Sequence, residues 1–265
     1  MPKSDYVHQH LSDPDEYQRL KKIEDLLDPR SQSFLKKLGL KEGMSFLEAG
    51  AGGGGLLPWL SDRVGREGSV LALDLNVRYI KDIQRPNLQI LQDDLTRMDL
   101  GRERFDFIHE RYVLNHIPAY QEVIQKMWAA LKPGGWLLLE DADATPVRLE
   151  TTDPSRLKAF QAIPQARKIL FASKGMDSAF GRLLPDLLRQ SGFTQVGEEI
   201  FSPLDHGGQG KAEIMRLSVL GLWDQYLQTG AATEEDLKTF VEMAADPSQT
   251  GAYYSTVSTW GQKPV

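Results

Sequence analysis

The stretch Ser45-Phe46-Leu47-Glu48-Ala49-Gly50-Ala51-Gly52-Gly53-Gly54-Gly55-Leu56-Leu57 constrains this chain more than any other. A short apolar run leads through an acid into a glycine cluster, after which Leu56, Leu57, Trp59 and Leu60 open a helical pattern. That order predicts a strand, a tight turn and a helix N-terminus, where bare backbone N–H groups approach a polar ligand closely. From Met44 onward short β-rich runs alternate with helical stretches, the pattern of βαβ units around a parallel sheet.

Strands are predicted over Met44–Ala49, Ser69–Asp74, Asn87–Gln92, Phe105–His109 and Gly135–Glu140, with helices over Leu56–Arg63 and Tyr120–Leu131. After Asp143 the rhythm changes. Consecutive helices are predicted over Pro154–Ser173 and Met176–Ser191, then a sixth strand over Gly192–Phe201, helices near Lys211–Leu227 and Glu234–Ala244, and a last strand over Ala252–Trp260. The insertions at about 151–175 and 205–247 are candidates for a helical cap over the carboxyl edge of the sheet, where open α/β sheets bind ligands. Residues 1–40 form an N-terminal helical arm, opened by Asp13-Pro14-Asp15-Glu16 and broken at Asp28-Pro29-Arg30-Ser31. The arm packs on the core, or Tyr6, His8 and His10 make it a lid. The two histidines, two residues apart, do not share a helix face, so no metal pair is expected.

The formal net charge of -6 supplies no footprint for a phosphate backbone or an anionic membrane, so neither nucleic acid nor membrane is an expected partner. The chain has no cysteine, which removes disulfides, thiolate metal sites and thiol nucleophiles together, and its polar start lacks an apolar signal core. A cytoplasmic protein is expected. Whether it is a monomer or a homodimer is not legible.

Gly50, Gly52 and Gly55 satisfy the G-x-G-x-x-G spacing of a dinucleotide site, which makes an NAD-linked oxidoreductase one reading. Glu48 opposes it. A carboxylate ~6 Å from a pyrophosphate at an effective dielectric of ~20 repels it by about 3 kcal/mol. A zwitterionic amino-acid group suits the loop better, its ammonium on the side of Glu48, and S-adenosylmethionine carries one. The adenosine half then predicts partners at successive strand ends. Asp74 is placed to accept from ribose hydroxyls, Asp94 from the adenine amine, and Leu75 and Leu95 to cover the ring.

At this point the chain resembles the class I S-adenosylmethionine-dependent methyltransferases, small-molecule subgroup, over about Met44–Asp141. Phe46–Gly54 is similar to the family's glycine motif, Val70–Asp74 to its ribose motif, and Gln92–Leu95 to its adenine motif. Phe105–Ile117 resembles its fourth-strand signature, and Leu131–Glu140 its turn into the fifth strand. The resemblance implies a Rossmann-like, doubly wound seven-stranded sheet whose last, antiparallel strand inserts between the fifth and sixth. Residues 41–265 then form the methyltransferase domain behind the arm. It also implies that Glu110 and Arg111 run past the methionine half of the cofactor, and that S-adenosylhomocysteine is the product. Tyr112 and Asn115 stand where related quinone enzymes carry acids for a metal, leaving His116 alone, so no metal is expected.

Methyl transfer from a sulfonium needs alignment, exclusion of water and, for a hydroxyl or protonated amine, a base. His109, His116, Asp141 and Asp143 are candidates, with His116 and Asp141 preferred. The expected reaction is methylation of oxygen or nitrogen, less so carbon, on a small-molecule acceptor. The alternative is a cofactor-binding protein with a non-methylating reaction or a ligand-sensing role. Trp223, Tyr226, Phe240, Tyr253 and Tyr254 line an acceptor pocket in one reading and fill core in the other.

Overall fold

The computed structural model describes residues 13–145 and 147–265; the expectation for Tyr6, His8 and His10 lies outside the described residues. Two compact units divide the chain. The first comprises Glu24–Asp141, Gly181–Glu199 and Val257–Val265; the second comprises Ala142–Phe180 and Ile200–Thr256 with the described residues up to Ile23.

The first unit holds a seven-stranded sheet in the order β3-β2-β1-β4-β5-β10-β7. Its strands are β1 (Ser45–Ala49), β2 (Ser69–Asp74), β3 (Leu88–Gln92), β4 (Phe105–Arg111), β5 (Leu131–Asp143), β7 (Thr194–Phe201) and β10 (Ser255–Gln262). β10 is antiparallel and sits between β5 and β7, the arrangement that the family resemblance implies. Parallel register pairs Ala49 with Leu73 and with Glu110, so β1, β2 and β4 end at one edge. β1, β2 and β4 are buried almost throughout because both faces are covered, as in parallel sheets generally, and β2 is apolar over Val70–Leu73. Phe46 and Phe107 stack on one face, ring centroids 6.3 Å apart, within a core that includes Leu57, Leu60 and Leu138. Each such buried side chain contributes roughly 1.5–3 kcal/mol.

Helix α1 (Asp13–Lys37) corrects one expectation, since it runs unbroken through Pro29. Ile23, Leu27, Ser31, Phe34 and Leu35 are all buried, so one stripe at helical spacing continues in phase across the proline while Pro29 itself is exposed. Tertiary burial outweighs the lost backbone hydrogen bond. Helices α2 (Leu56–Val64) and α3 (Tyr120–Ala130) follow the prediction to within a residue.

In the second unit, α4 (Pro154–Ser173) keeps its predicted bounds and is capped by Asp153, whose side chain accepts from Ser155 N and Arg156 N. The helix predicted from Met176 to Ser191 is instead a 3-10 turn, Phe180–Leu183, followed by α5 (Leu184–Gln190). Pro185 there pre-sets the first helical turn. The segment predicted as one last strand is two. β9 (Thr250–Ala252) lies between β6 (Arg148–Glu150) and β8 (Asp205–His206) in a small sheet, and β10 joins the large one. The break falls at Tyr253 and Tyr254, which turn inward. Tyr253 packs edge-on to Phe160 and Phe240, with centroids 5.3 and 6.0 Å away. Helices α6 (Gly210–Gly221), α7 (Trp223–Gln228) and α8 (Glu234–Ala245) complete the unit, and Thr233 with Asp236 forms a capping box on α8. Tyr226, Phe240, Tyr253 and Tyr254 are buried, so these aromatics are core. No helix among the described residues is long and apolar enough to cross a membrane.

Candidate active site

The glycine loop leaves β1 as the sheet ends, and the first backbone groups beyond the β1–β2 register find partners within the chain. Gly50 N and Ala51 N donate to Leu73 O (2.7 and 3.2 Å), and Gly54 N donates to Ala51 O. Gly52 N donates to Asp74 Oδ2 at 2.8 Å. The bare N–H groups expected of this loop are therefore engaged at Gly50, Ala51, Gly52 and Gly54. They serve first to lock the turn onto β2. Gly50 is glycine for two reasons: its φ is +81°, and a Cβ there would overlap Val113 Cγ2. Gly53 and Gly55 leave room for carboxylates from α1, because a Cβ at Gly53 would meet Glu24 and one at Gly55 would meet Asp28 and Glu24. Helix packing thus accounts for part of a spacing that resembled a dinucleotide signature.

Asp74 ends β2, with Oδ2 on Gly52 N and Oδ1 accepting from Asn76 N at 2.9 Å. Leu75, next to it, exposes 49% of its surface, an apolar side chain left open at a polar edge. Asp94 follows β3, where Oδ1 accepts from Thr96 N (2.9 Å) and Thr96 Oγ1 (2.6 Å); Leu95 beside it is buried. Glu48, Asp74 and Asp94 thus lie at or just past the carboxyl ends of three neighbouring strands.

Glu110 and Arg111 close β4 with side chains on opposite faces. Glu110 is wholly buried, and its Oε2 accepts from Val113 N (3.1 Å) and Leu114 N (3.3 Å). Its Oε1 makes no hydrogen bond among the described residues. Burial pushes this carboxyl up to about 7 against the pull of those N–H groups. The turn it caps carries Tyr112 at φ +58° and presses Val113 against Gly50. Arg111 faces α1, with Nη2 on Asp28 Oδ1 at 2.6 Å and Nη1 on Ser31 Oγ at 2.9 Å. His116 ends the 3-10 turn Leu114–His116 and is half-buried; Asp141 lies buried near the end of β5. Asp143 Oδ1 accepts from Thr145 N and Oγ1 (2.9 and 2.6 Å), closing a local turn.

His109 is not placed to serve as a base. It has no accessible surface, and its two ring nitrogens face two carboxylates, Nδ1 to Glu48 Oε2 at 2.8 Å and Nε2 to Glu140 Oε2 at 3.0 Å. Burial opposes its charge, but Glu48 and Glu140 overcome that and push the imidazole up to about 10. Glu140 is held well below the carboxylate range, burial being outweighed by His109 and Arg111. Ser258 Oγ donates to Glu140 Oε1 at 2.6 Å, and Ser31 Oγ donates to Oε2. Sequence reasoning missed Asp28, Ser31, Glu140 and Ser258. The one local signal was an acid closing the apolar run of β5.

A family model described as "Methyltransferase domain" matches residues 17–205, a span holding the glycine loop and the ends of β2, β3, β4 and β5. The chain belongs to this family. It is a class I S-adenosylmethionine-dependent methyltransferase. Among curated relatives, the demethylmenaquinone methyltransferase of Lactobacillus johnsonii is 28% identical over 183 residues, covering 62% of this chain and 74% of that protein. The one from Shouchella clausii is 27% identical, covering 46% and 51%. This methyltransferase thus spans about half to three quarters of the length of these relatives. Among solved structures, a methyltransferase from Aquifex aeolicus is 19% identical with a TM-score of 0.54, covering 95% of this chain and 99% of that one. The [4+2]-cyclase SpnF is 15% identical with a TM-score of 0.62, covering 100% and 97%. Both are likenesses of fold. The site of this methyltransferase fits the cofactor on its own features: an open apolar Leu75 beside Asp74, and a buried Glu110 oxygen that makes no hydrogen bond among the described residues.

Proposed function

We propose that this chain transfers the methyl group of S-adenosylmethionine to an oxygen or nitrogen of a small organic acceptor. The observation that carries this reading is the row of Glu48, Asp74 and Asp94 at consecutive strand ends beside the glycine loop. Glu48 receives the ammonium, Asp74 the ribose hydroxyls and Asp94 the adenine amine, with Leu75 and Leu95 against the ring. Glu110, by capping Val113 and Leu114, holds the turn that faces Gly50.

When bound, the cofactor supplies a sulfonium methyl open to in-line displacement. The protein's part is to align the acceptor at ~3 Å and to keep water out. His116, past β4, or Asp141, near the end of β5, takes the acceptor's proton. A second reading, methylation at carbon, is favoured by the curated relatives, one of which is the ubiquinone/menaquinone biosynthesis C-methyltransferase of Idiomarina loihiensis, 26% identical over 140 residues.

The test is incubation with S-adenosylmethionine and a panel of catechols, hydroxyquinols and small amines, with S-adenosylhomocysteine and methylated product both measured. Product from a catechol or amine supports the first reading, and a carbon-methylated quinol the second. Conversion of an acceptor without S-adenosylhomocysteine would instead point to a non-methylating reaction.

A further inference from the structure

Five charged groups on one face of the sheet form a continuous chain. Asp28 pairs with Arg111, whose Nη1 donates to Ser31; Ser31 donates to Glu140, and His109 bridges Glu140 and Glu48. Carboxylate oxygens only accept, and both nitrogens of His109 lie within 3.0 Å of one, so both nitrogens carry protons. Two cations and three carboxylates then leave one net negative charge among these five linked groups. Their side chains are all largely or wholly buried. Charge held away from water is costly unless compensated; among the described residues each end of this chain has one partner, Asp28 on Arg111 and Glu48 on His109, and Glu48 is the end that lies on β1 just before the glycine loop. An incoming ammonium at Glu48 completes the compensation.

We propose that His109 is a positioning residue for the amino-acid end of the cofactor: through Nδ1 it fixes the Glu48 carboxylate in the orientation that receives the ammonium. The proposal rests on the reading that S-adenosylmethionine seats that end at Glu48. His109 itself touches no ligand. It orients one oxygen of Glu48 and leaves the other outside that hydrogen bond, while Ser258 and Ser31 anchor Glu140 behind it. The cofactor site is in this way tied to α1, which supplies Ser31 and Asp28.

The test is calorimetric titration of the full chain and of His109→Gln with two ligands, S-adenosylmethionine and 5′-methylthioadenosine. The second keeps the adenosine and lacks the amino-acid end. The expected result is a loss of at least about tenfold in S-adenosylmethionine affinity, with 5′-methylthioadenosine changed by less than about twofold. Equal loss for both ligands, the mark of a merely structural residue, overturns the proposal, as does no loss for either. Should His109→Gln not fold, nitrogen NMR of the wild-type histidines decides. Both His109 nitrogens are expected to be protonated at about pH 8, with a shift on adding S-adenosylmethionine and none on adding 5′-methylthioadenosine. A neutral ring, or one unmoved by S-adenosylmethionine, overturns it. Wild-type protein that binds 5′-methylthioadenosine and S-adenosylmethionine equally removes the seat at Glu48 and the proposal with it.

Discussion

Asp74 Oδ2 accepts the Gly52 N–H at 2.8 Å, so the carboxylate assigned to the ribose also closes the glycine loop. Asp74→Ala is therefore expected to weaken S-adenosylmethionine binding about 10–100-fold, the scale of losing hydrogen bonds to a charged group, while the chain stays folded. Calorimetry beside circular dichroism checks both halves. An intact fold with unchanged affinity would remove Asp74 from the ribose.

Gly50 and Gly39 share a left-handed backbone, φ +81° and +96°, but differ in surroundings, because a Cβ at Gly39 meets nothing within 4 Å. Gly39→Ala is expected to cost about 1–2 kcal/mol of backbone strain. Gly50→Ala adds the clash with Val113, for about 2–5 kcal/mol in total. Urea unfolding of the two variants measures the difference; equal costs would mean that Val113 does not press on the loop.

The Glu110 carboxyl is raised by burial to about 7 in the folded chain, from an ordinary value of 4.5. Between those values the folded state holds the proton more tightly than the unfolded state, so this group makes stability fall as pH rises from about 4.5 to 7. Glu110→Gln keeps an acceptor for Val113 N and Leu114 N and abolishes the titration. Its stability relative to wild type should rise across that window and level off above it. A constant difference between pH 5 and 8 would contradict the assignment.

His109 works in the opposite direction. Its folded value of about 10 lies above the ordinary 6.5, so its contribution is complete below about 6.5 and is lost as pH rises through about 10. The stability gap between wild type and a folded His109→Gln should accordingly narrow in alkali, as followed by denaturant midpoints at pH 7 and pH 10. A gap that does not narrow would argue against a charged ring.

Ser258→Ala removes one hydrogen bond to Glu140 and should cost about 1.5–3 kcal/mol, more than a typical buried serine, because the acceptor is charged. Thermal unfolding is a sufficient measurement, and a cost near zero would mean that solvent replaces the hydroxyl.

Strands β2 and β5 were legible because a sheet covered on both faces favours continuous apolar runs, Val70–Leu73 and Trp136–Leu139, and few other structures do. Asp74 was legible because it ends such a run, and Asp94 because it stands two residues past β3. The role of His109 was not: its partners lie 61 and 31 residues away, and nothing local distinguishes a histidine at a strand end from one in a loop. Pro29 misled for a related reason, since a proline is read by its local cost while the stripe from Ile23 to Leu35 is stabilised by surfaces elsewhere in the chain. The same holds at Tyr253 and Tyr254, where a β-rich run divides because two aromatic side chains have a core to enter. Local pattern reports elements, whereas long-range partners decide where they bend and which acids are ligands.

The unbroken α1 has a consequence for where this chain can be cut. A boundary drawn at residue 40, natural on the page, discards the helix whose Asp28 and Ser31 neutralise and bridge Arg111 and Glu140. A fragment beginning at Lys41 would keep the whole sheet and every strand-end acid, yet it would take Asp28 and Ser31 from the buried Arg111 and one of three hydrogen bonds from Glu140. The leading helix also presses Glu24 and Asp28 against Gly53 and Gly55 of the glycine loop, so any excised domain, fusion or split version has to carry it along.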